Sequence, residues 1–396
     1  MLRHTHGTES MAKKAAISYG AEFTLLLQCC QARFHTAVSG FEKAQSNFNE
    51  DLFVGLVKNH RVSSFVVEQL NRLHISERAK KEVKKLNKES RQRALAQCKG
   101  LVDLHETLKP INVPFIVLKG VLLSQKLYED LAFRSSRDID ILIQPRDVLR
   151  TYRHLLDHGF KQLEPELRLT EKNLDTYLRL TNQISFGSEQ GQMLELHWAL
   201  FKGKGSFPYS HNEVWEHTQT TSLMGREFLV LEDFICFQFL YVHGARHHYS
   251  NLFWLLDVVT LANRMTKELL QQQVEFAFQK DLDRQLALSL QLSKELLQEA
   301  PVSLNRTDKK TLDQVSFVQQ YIEAGVPREN TIAGNWKLLN YRSGLRRSWN
   351  YKMGHFKLFS LKDFSTLPLP TYAQWLYFFI RPFILLWRYI GKAVGR

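Results

Sequence analysis

The run Arg134-Ser-Ser-Arg137-Asp138-Ile139-Asp140-Ile141-Leu142-Ile143 sets two carboxylates two residues apart in an apolar, β-branched segment. Side chains alternate along a strand, so Asp138 and Asp140 share one face while Ile139, Ile141 and Ile143 turn toward a core. Two anions that close repel unless a cation lies between them, and a hard divalent ion with oxygen ligands meets that need. Mg²⁺ is the expected ion, with Mn²⁺ as the alternative. An isolated Asp-x-Asp is a weak signal and is usually structural. Its weight here comes from the order of the elements around it.

Upstream, Val113-Pro-Phe-Ile-Val-Leu118 reads as a short buried strand, and Val121–Tyr128 reads as a helix, with Lys119-Gly120 as the turn between them. Glycine at that turn lets the backbone approach a ligand, and the helix N-terminus behind it offers N–H groups to a phosphate. Downstream, Asn182–Phe186 and Gln192–Trp198 flank the polar turn Gly187–Gly191 and read as a hairpin. Glu195 and His197 project from one face of its second strand, with Leu194 and Leu196 on the other. The segment adds a third carboxylate, Glu195. Arg134, four residues before Asp138, is placed to neutralise charge developing on a phosphate.

Turn glycine, helix, Asp-hydrophobic-Asp and a later acid on a neighbouring strand resemble the DNA polymerase β-like nucleotidyltransferases. More narrowly, Phe115-Ile-Val-Leu-Lys-Gly120, Leu127-Tyr128, Arg134, Asp138-Ile-Asp140 and Glu195-Leu-His-Trp198 are similar to a divergent, poorly characterised bacterial nucleotidyltransferase family. Asn59-His-Arg-Val62, His243-Gly-Ala-Arg-His247 and Trp254-Leu-Leu-Asp257 extend the likeness over most of residues 20–265. The resemblance implies a magnesium-dependent enzyme that moves a nucleoside monophosphate from a nucleoside triphosphate to an acceptor and releases pyrophosphate. Asp138, Asp140 and Glu195 would be both catalytic residues and metal ligands. Lys119, Gly120 and Arg134 would bind the nucleotide, and His197, His243, Arg246 and Asp257 are candidate substrate contacts. Where the superfamily usually has Gly-Ser or Gly-Gly, this chain has Lys119-Gly120-Val121 and no hydroxyl. The Lys119 ammonium is then either a substitute near the phosphates or a solvated charge.

The expected fold class is α+β, with a mixed-sheet core flanked by helical regions. Periodicity divides the chain into an N-terminal helical region (1–108), an α/β core (109–200), a helical domain (201–330) and a basic aromatic tail ending in an amphipathic helix (331–396). Asp147–His158 supplies a helix closed by Gly159, and Gly325 and Pro327 mark a loop. A chain of 396 residues, 44% hydrophobic, can bury a sizeable core. Cys29, Cys30, Cys98 and Cys236 show no metal-ligand spacing, and so few thiols fit a reducing compartment without disulfides. Lys13-Lys14 and Thr24–Leu27 imitate a signal peptide, but Glu22 and Gln28 interrupt the apolar run. The expected location is the cytoplasm, with peripheral contact at the inner face of a membrane.

The formal charge is +13. Arg78–Lys88 mixes in acids at helical spacing and reads as a solvated helix face. From Trp336 to Phe359, cations interleave with aromatics and no acid appears, a mix that suits phosphate-bearing surfaces. Tyr372–Ile390 is apolar and aromatic, but Arg381 and Arg388 interrupt it and Pro382 kinks or breaks it. A spanning helix needs ~20 mostly apolar residues. The tail therefore reads as a helix lying on an anionic membrane surface, or as one that docks onto the protein or makes a dimer; nucleic acid ranks behind these. His243 and His247 share a helix face, but a zinc protease motif needs glutamate where Gly244 stands. Two rivals to nucleotidyl transfer stay open. One is an Asp-x-Asp glycosyltransferase, although only one strand precedes the pair. The other is a non-catalytic nucleotide-binding adaptor, which has no need of three acids.

Overall fold

The computed structural model describes residues 18–35, 48–189, 191–203, 205–304, 307–323, 332–354 and 359–393. The expected positions Lys13, Lys14, Gly325 and Pro327, and residues 355–358 of the tail, lie outside them.

The N-terminal helices are α1 (Ala21–Gln31), α2 (Glu50–His60), α3 (Ser63–Val67) and α4 (Glu77–Leu108). Asn49 caps α2 by accepting the Leu52 N–H at 3.0 Å, and Ser76 caps α4 by accepting the Ala79 N–H at 3.2 Å. At 32 residues, α4 is about 48 Å long. Its first half turns Ala79 and Val83 inward and leaves Lys81, Lys84, Lys85 and Lys88 exposed, the solvated face read from the charge pattern. Its second half packs Ala94, Cys98, Leu101, Leu104 and Leu108 against a sheet.

That sheet begins with β1 (Ile116–Val117), shorter than the strand expected over 113–118. There follow α5 (Val121–Tyr128), β2 (Asp138–Leu142), α6 (Val148–Asp157), β3 (Lys161–Glu164), α7 (Leu174–Leu180), β4 (Gln183–Gly187) and β5 (Met193–His197). Gly159, at φ 82°, follows α6 as its sequence position implied. β4 and β5 form the expected antiparallel hairpin. After α8 (His211–Glu216), the sheet gains two strands not foreseen, β6 (Thr218–Leu223) and β7 (Arg226–Leu231). The order is β3-β4-β5-β2-β1-β7-β6, with β5–β2 and β1–β7 parallel and the other pairs antiparallel. The α+β class with a mixed sheet is the one observed.

Helices α9 (Asp233–Arg246), α10 (Leu252–Arg264), α11 (Lys267–Gln279), α12 (Asp283–Leu292) and α13 (Lys309–Ile322) pack with α1–α3 into one apolar core. The other sheet face carries Ile139, Ile141, Ile184, Phe186, Leu194 and Leu196 into a second core. The sheet thus lies between two helical layers. The four cysteines are free and buried, Cys29, Cys30 and Cys236 in the first core and Cys98 in the second.

The last elements are α14 (Ile332–Gly344), α15 (Trp349–Gly354), α16 (Leu361–Thr366) and α17 (Tyr377–Ala393). Here the reading of a phosphate-facing stretch from Trp336 to Phe359 is corrected at Arg346, Arg347, Tyr341 and Tyr351, while Trp336, Lys337 and Trp349 are exposed. Arg346 is buried and donates to the carbonyls of Asp281, Lys280 and Gly205, while Arg347 pairs with Asp283 at 2.5 Å and Asp308 at 3.4 Å. Tyr341 and Tyr351 are buried too. These cations neutralise acids at the start of α12 and tie the tail to the body. Nor does Pro382 break α17, which runs on through it. Among the described residues, no helix is long and apolar enough to cross a membrane.

Candidate active site

In the register of β2 with β5, Asp140 lies opposite Glu195 and Leu142 opposite His197. Parallel neighbours present the same face, so Asp138, Asp140, Glu195 and His197 all look away from the Ile139–Ile141 core, toward α9 and α10. Asp140 is buried; His197 Nε2 stands 3.3 Å from its Oδ1 and 3.4 Å from Glu195 Oε2. Lys119 follows β1, where the Leu118 N–H donates to the Asp140 carbonyl, and its Nζ reaches Asp140 Oδ1 at 3.1 Å. The lysine read as a phosphate ligand thus rests on a carboxylate. Gly120 does not line the cavity; it shapes the turn, at φ 80° and ψ −139°, a conformation that side chains disfavour.

The charges are interdependent. Burial pushes the Asp140 carboxyl up, but Lys119 and His197 outweigh it and hold the group well below the usual carboxylate range. Burial and the Asp140 charge raise Glu195, against the pull of His197. Burial would lower His197 and Lys119, yet the surrounding carboxylates raise both. Asp140 is therefore the standing anion, and Glu195 is the group ready to accept a proton.

A divalent ion fits this donor set. Asp140 Oδ2 is buried with no hydrogen-bond partner, and ligand atoms of Asp140, Glu195 and His197 lie within 4.8 Å of one another. The convergent group includes His197, which sequence reasoning had assigned to substrate. Asp138 stands on the same face of β2 and lines the cavity, but lies outside that group.

The cavity encloses about 430 Å³, within the size range of small-ligand sites. Lys119, Arg134, Arg246 and His243 line it. Asp257 does not. It is fully buried beneath the wall, accepting from Arg134 Nε at 2.6 Å and from the Tyr128 hydroxyl at 2.8 Å. Its role changes from contact to support, because a guanidinium buried at Arg134 needs a fixed anion. His243 packs edge-on to Trp254 at 5.4 Å, and burial keeps its imidazole neutral. Arg246 lies over the Phe201 ring at 5.2 Å, and its Nη1 is buried without a hydrogen bond.

Sequence reasoning missed Arg61, Phe201, Phe253 and Trp254 in the cavity wall. Arg61 sits at the left-handed end of α2, over the Phe253 ring at 5.4 Å, and makes no ion pair among the described residues. Burial and neighbouring arginines draw it down to about 10, still a cation at neutral pH. The signal lay in Asn59-His-Arg-Val62, which carried a resemblance but no assigned role.

Residues 46–298 match the profile of a family described as uncharacterised nucleotidyltransferase. The chain belongs to that family. The nucleotidyltransferase match spans α2 through α12, and so includes every element that builds the cavity wall described above. No curated protein sequence matches the chain. A crystal structure of an antigenic nucleotidyltransferase-like protein from Paracoccidioides brasiliensis is similar over 50% of this chain and 91% of that one, at 13% identity and a TM-score of 0.30. That likeness is too loose to carry residues across.

Proposed function

We propose that this nucleotidyltransferase-family protein moves a nucleoside monophosphate from a nucleoside triphosphate to an acceptor. The acceptor oxygen attacks the α-phosphorus, the bond to the β-phosphate oxygen breaks, pyrophosphate leaves and Glu195 receives the acceptor proton. The observation that carries the reading is the convergence of Asp140, Glu195 and His197 beneath a wall of cations. Asp140 and Glu195, with Asp138 beside them, would hold Mg²⁺, or Mn²⁺ as the alternative. When bound, such an ion supplies charge neutralisation at the phosphates and acidity at the acceptor. Arg134, held rigidly by Asp257, and Arg61 face the phosphates. Lys119 exchanges Asp140 for a phosphate oxygen, taking the place of the hydroxyl that the turn lacks. His197 orients Glu195.

One feature favours a second reading. Lys119 on Asp140 suits a protein that binds nucleotide without turning it over. Calorimetric titration of the four common ribonucleoside triphosphates with Mg²⁺, on the native chain and on Asp138→Ala/Asp140→Ala, tests the site. Metal-dependent binding should vanish in the double variant. Pyrophosphate release then separates transfer from binding alone, and triphosphate binding by the double variant at native strength would sink both.

A further inference from the structure

Trp375, Phe378, Phe379, Phe383, Leu386 and Trp387 recur at helical spacing along α17 and the turn that leads into it, each between 57% and 72% exposed. The opposite side of the helix is already used. Tyr377 stacks on Phe359 at 4.1 Å, Ile384 enters the second core, and Arg381 pairs with Asp363 at 3.2 Å. The helix therefore has two apolar faces, and folding explains only one. The exposed face adds up to several hundred Å², at the upper limit of what monomeric surfaces leave bare.

Charge selects what covers it. From Ile332 to Arg396 the sequence has eleven lysines and arginines against one acid, Asp363, and cations stay in excess even with Arg346 and Arg347 paired to acids of the body and Arg381 paired to Asp363. A second copy would bring this positive field against itself, so self-pairing on the face is opposed. A polynucleotide would need cations on the face, and the six side chains there are all apolar. An anionic bilayer meets both demands, since aromatic side chains settle at the acyl boundary while headgroups attract the flanking cations. We propose that α17 lies in the plane of an anionic lipid surface with this aromatic face inserted, holding the protein as a peripheral membrane protein. The proposal is independent of the reaction assigned to the cavity.

Truncation is a poor test, because Gln374 bonds Thr176 and Arg179, and Tyr377 and Ile384 are core residues. Phe379→Glu/Phe383→Glu changes only the exposed face. The experiment is co-sedimentation of the full chain with vesicles of phosphatidylcholine alone or with phosphatidylglycerol added, together with light scattering of the free protein. The native chain should pellet with the anionic vesicles and remain in solution with the neutral ones. The double variant should bind about tenfold or more weakly while keeping its circular dichroism spectrum. Equal pelleting of native and variant chains would overturn the proposal, and so would equal binding to both vesicle types. A dimer of the free protein that the variant dissolves would instead assign the face to a second copy.

Discussion

At the scale of single residues, the cavity is a balance of charges in which Asp140 is shared. Its Oδ1 already faces Lys119 and His197, and only Oδ2 has no partner. A cation that reaches Asp140 must compete with the lysine. Lys119→Met should therefore tighten Mn²⁺ binding in the absence of nucleotide by about tenfold while weakening triphosphate binding, read by paramagnetic resonance titration of the ion and by calorimetry. The same balance gives a pH dependence. Glu195 is raised above the ordinary carboxylate value, so it gains its proton first as pH falls from neutrality, and Mn²⁺ affinity should decline there while Asp140 is still ionised. Asp257 makes a different prediction. Asp257→Asn leaves Arg134 buried without its counter-charge, and should lower unfolding stability by about 3–5 kcal/mol in urea titrations. Asp138→Asn, on a partly exposed side chain, should cost far less.

At the scale of elements, His60 joins three helices. It ends α2, accepts the Leu252 N–H at the start of α10 through Nδ1 at 3.3 Å, and faces the Ile322 backbone at the end of α13. Burial lowers its pKa from 6.5 to about 4, so the native state holds it neutral. Its contribution is complete above pH 6.5 and is lost as pH falls from there toward 4, an effect of up to about 3 kcal/mol. Urea unfolding at about pH 7 and about pH 4.5 should show that decline, and His60→Gln, less stable at the higher pH, should make it shallower, the buried His243, His247 and His248 supplying the rest. Elements with a clean period were legible from sequence. The Asp-x-Asp strand, α5 and the β4–β5 hairpin each stand where alternation or helical spacing put them. β6 was not legible, because Thr218–Ser222 is a polar edge strand with no apolar alternation, and with it β7 fell inside the helical domain expected over 201–330. Arg346 and Arg347 looked like surface cations because the acids they meet, Asp281, Asp283 and Asp308, lie far away in sequence. Of the candidate site, the shared face of Asp138, Asp140 and Glu195 was legible. The pairings of Lys119 with Asp140 and Arg134 with Asp257 were not, since spacing shows which residues share a face but not which partner across a fold each one meets.

At the scale of the whole molecule, α4 belongs to both cores, with Val83 in one and Leu101 in the other, and the cavity sits between the sheet and the helices of the first core. A rigid member shared in this way should make the cores open together. The four cysteines turn that statement into something that can be timed. Each is sealed, and burial raises Cys29 to about 12 and Cys236 to about 11, so none presents a thiolate in the native state. They serve as clocks, three in one half of the protein and one in the other. Pulsed alkylation read by mass spectrometry in low denaturant should find Cys98 ticking at the same rate as Cys29, Cys30 and Cys236. A Cys98 that runs ahead would mean that the second core breathes on its own while the first stays shut.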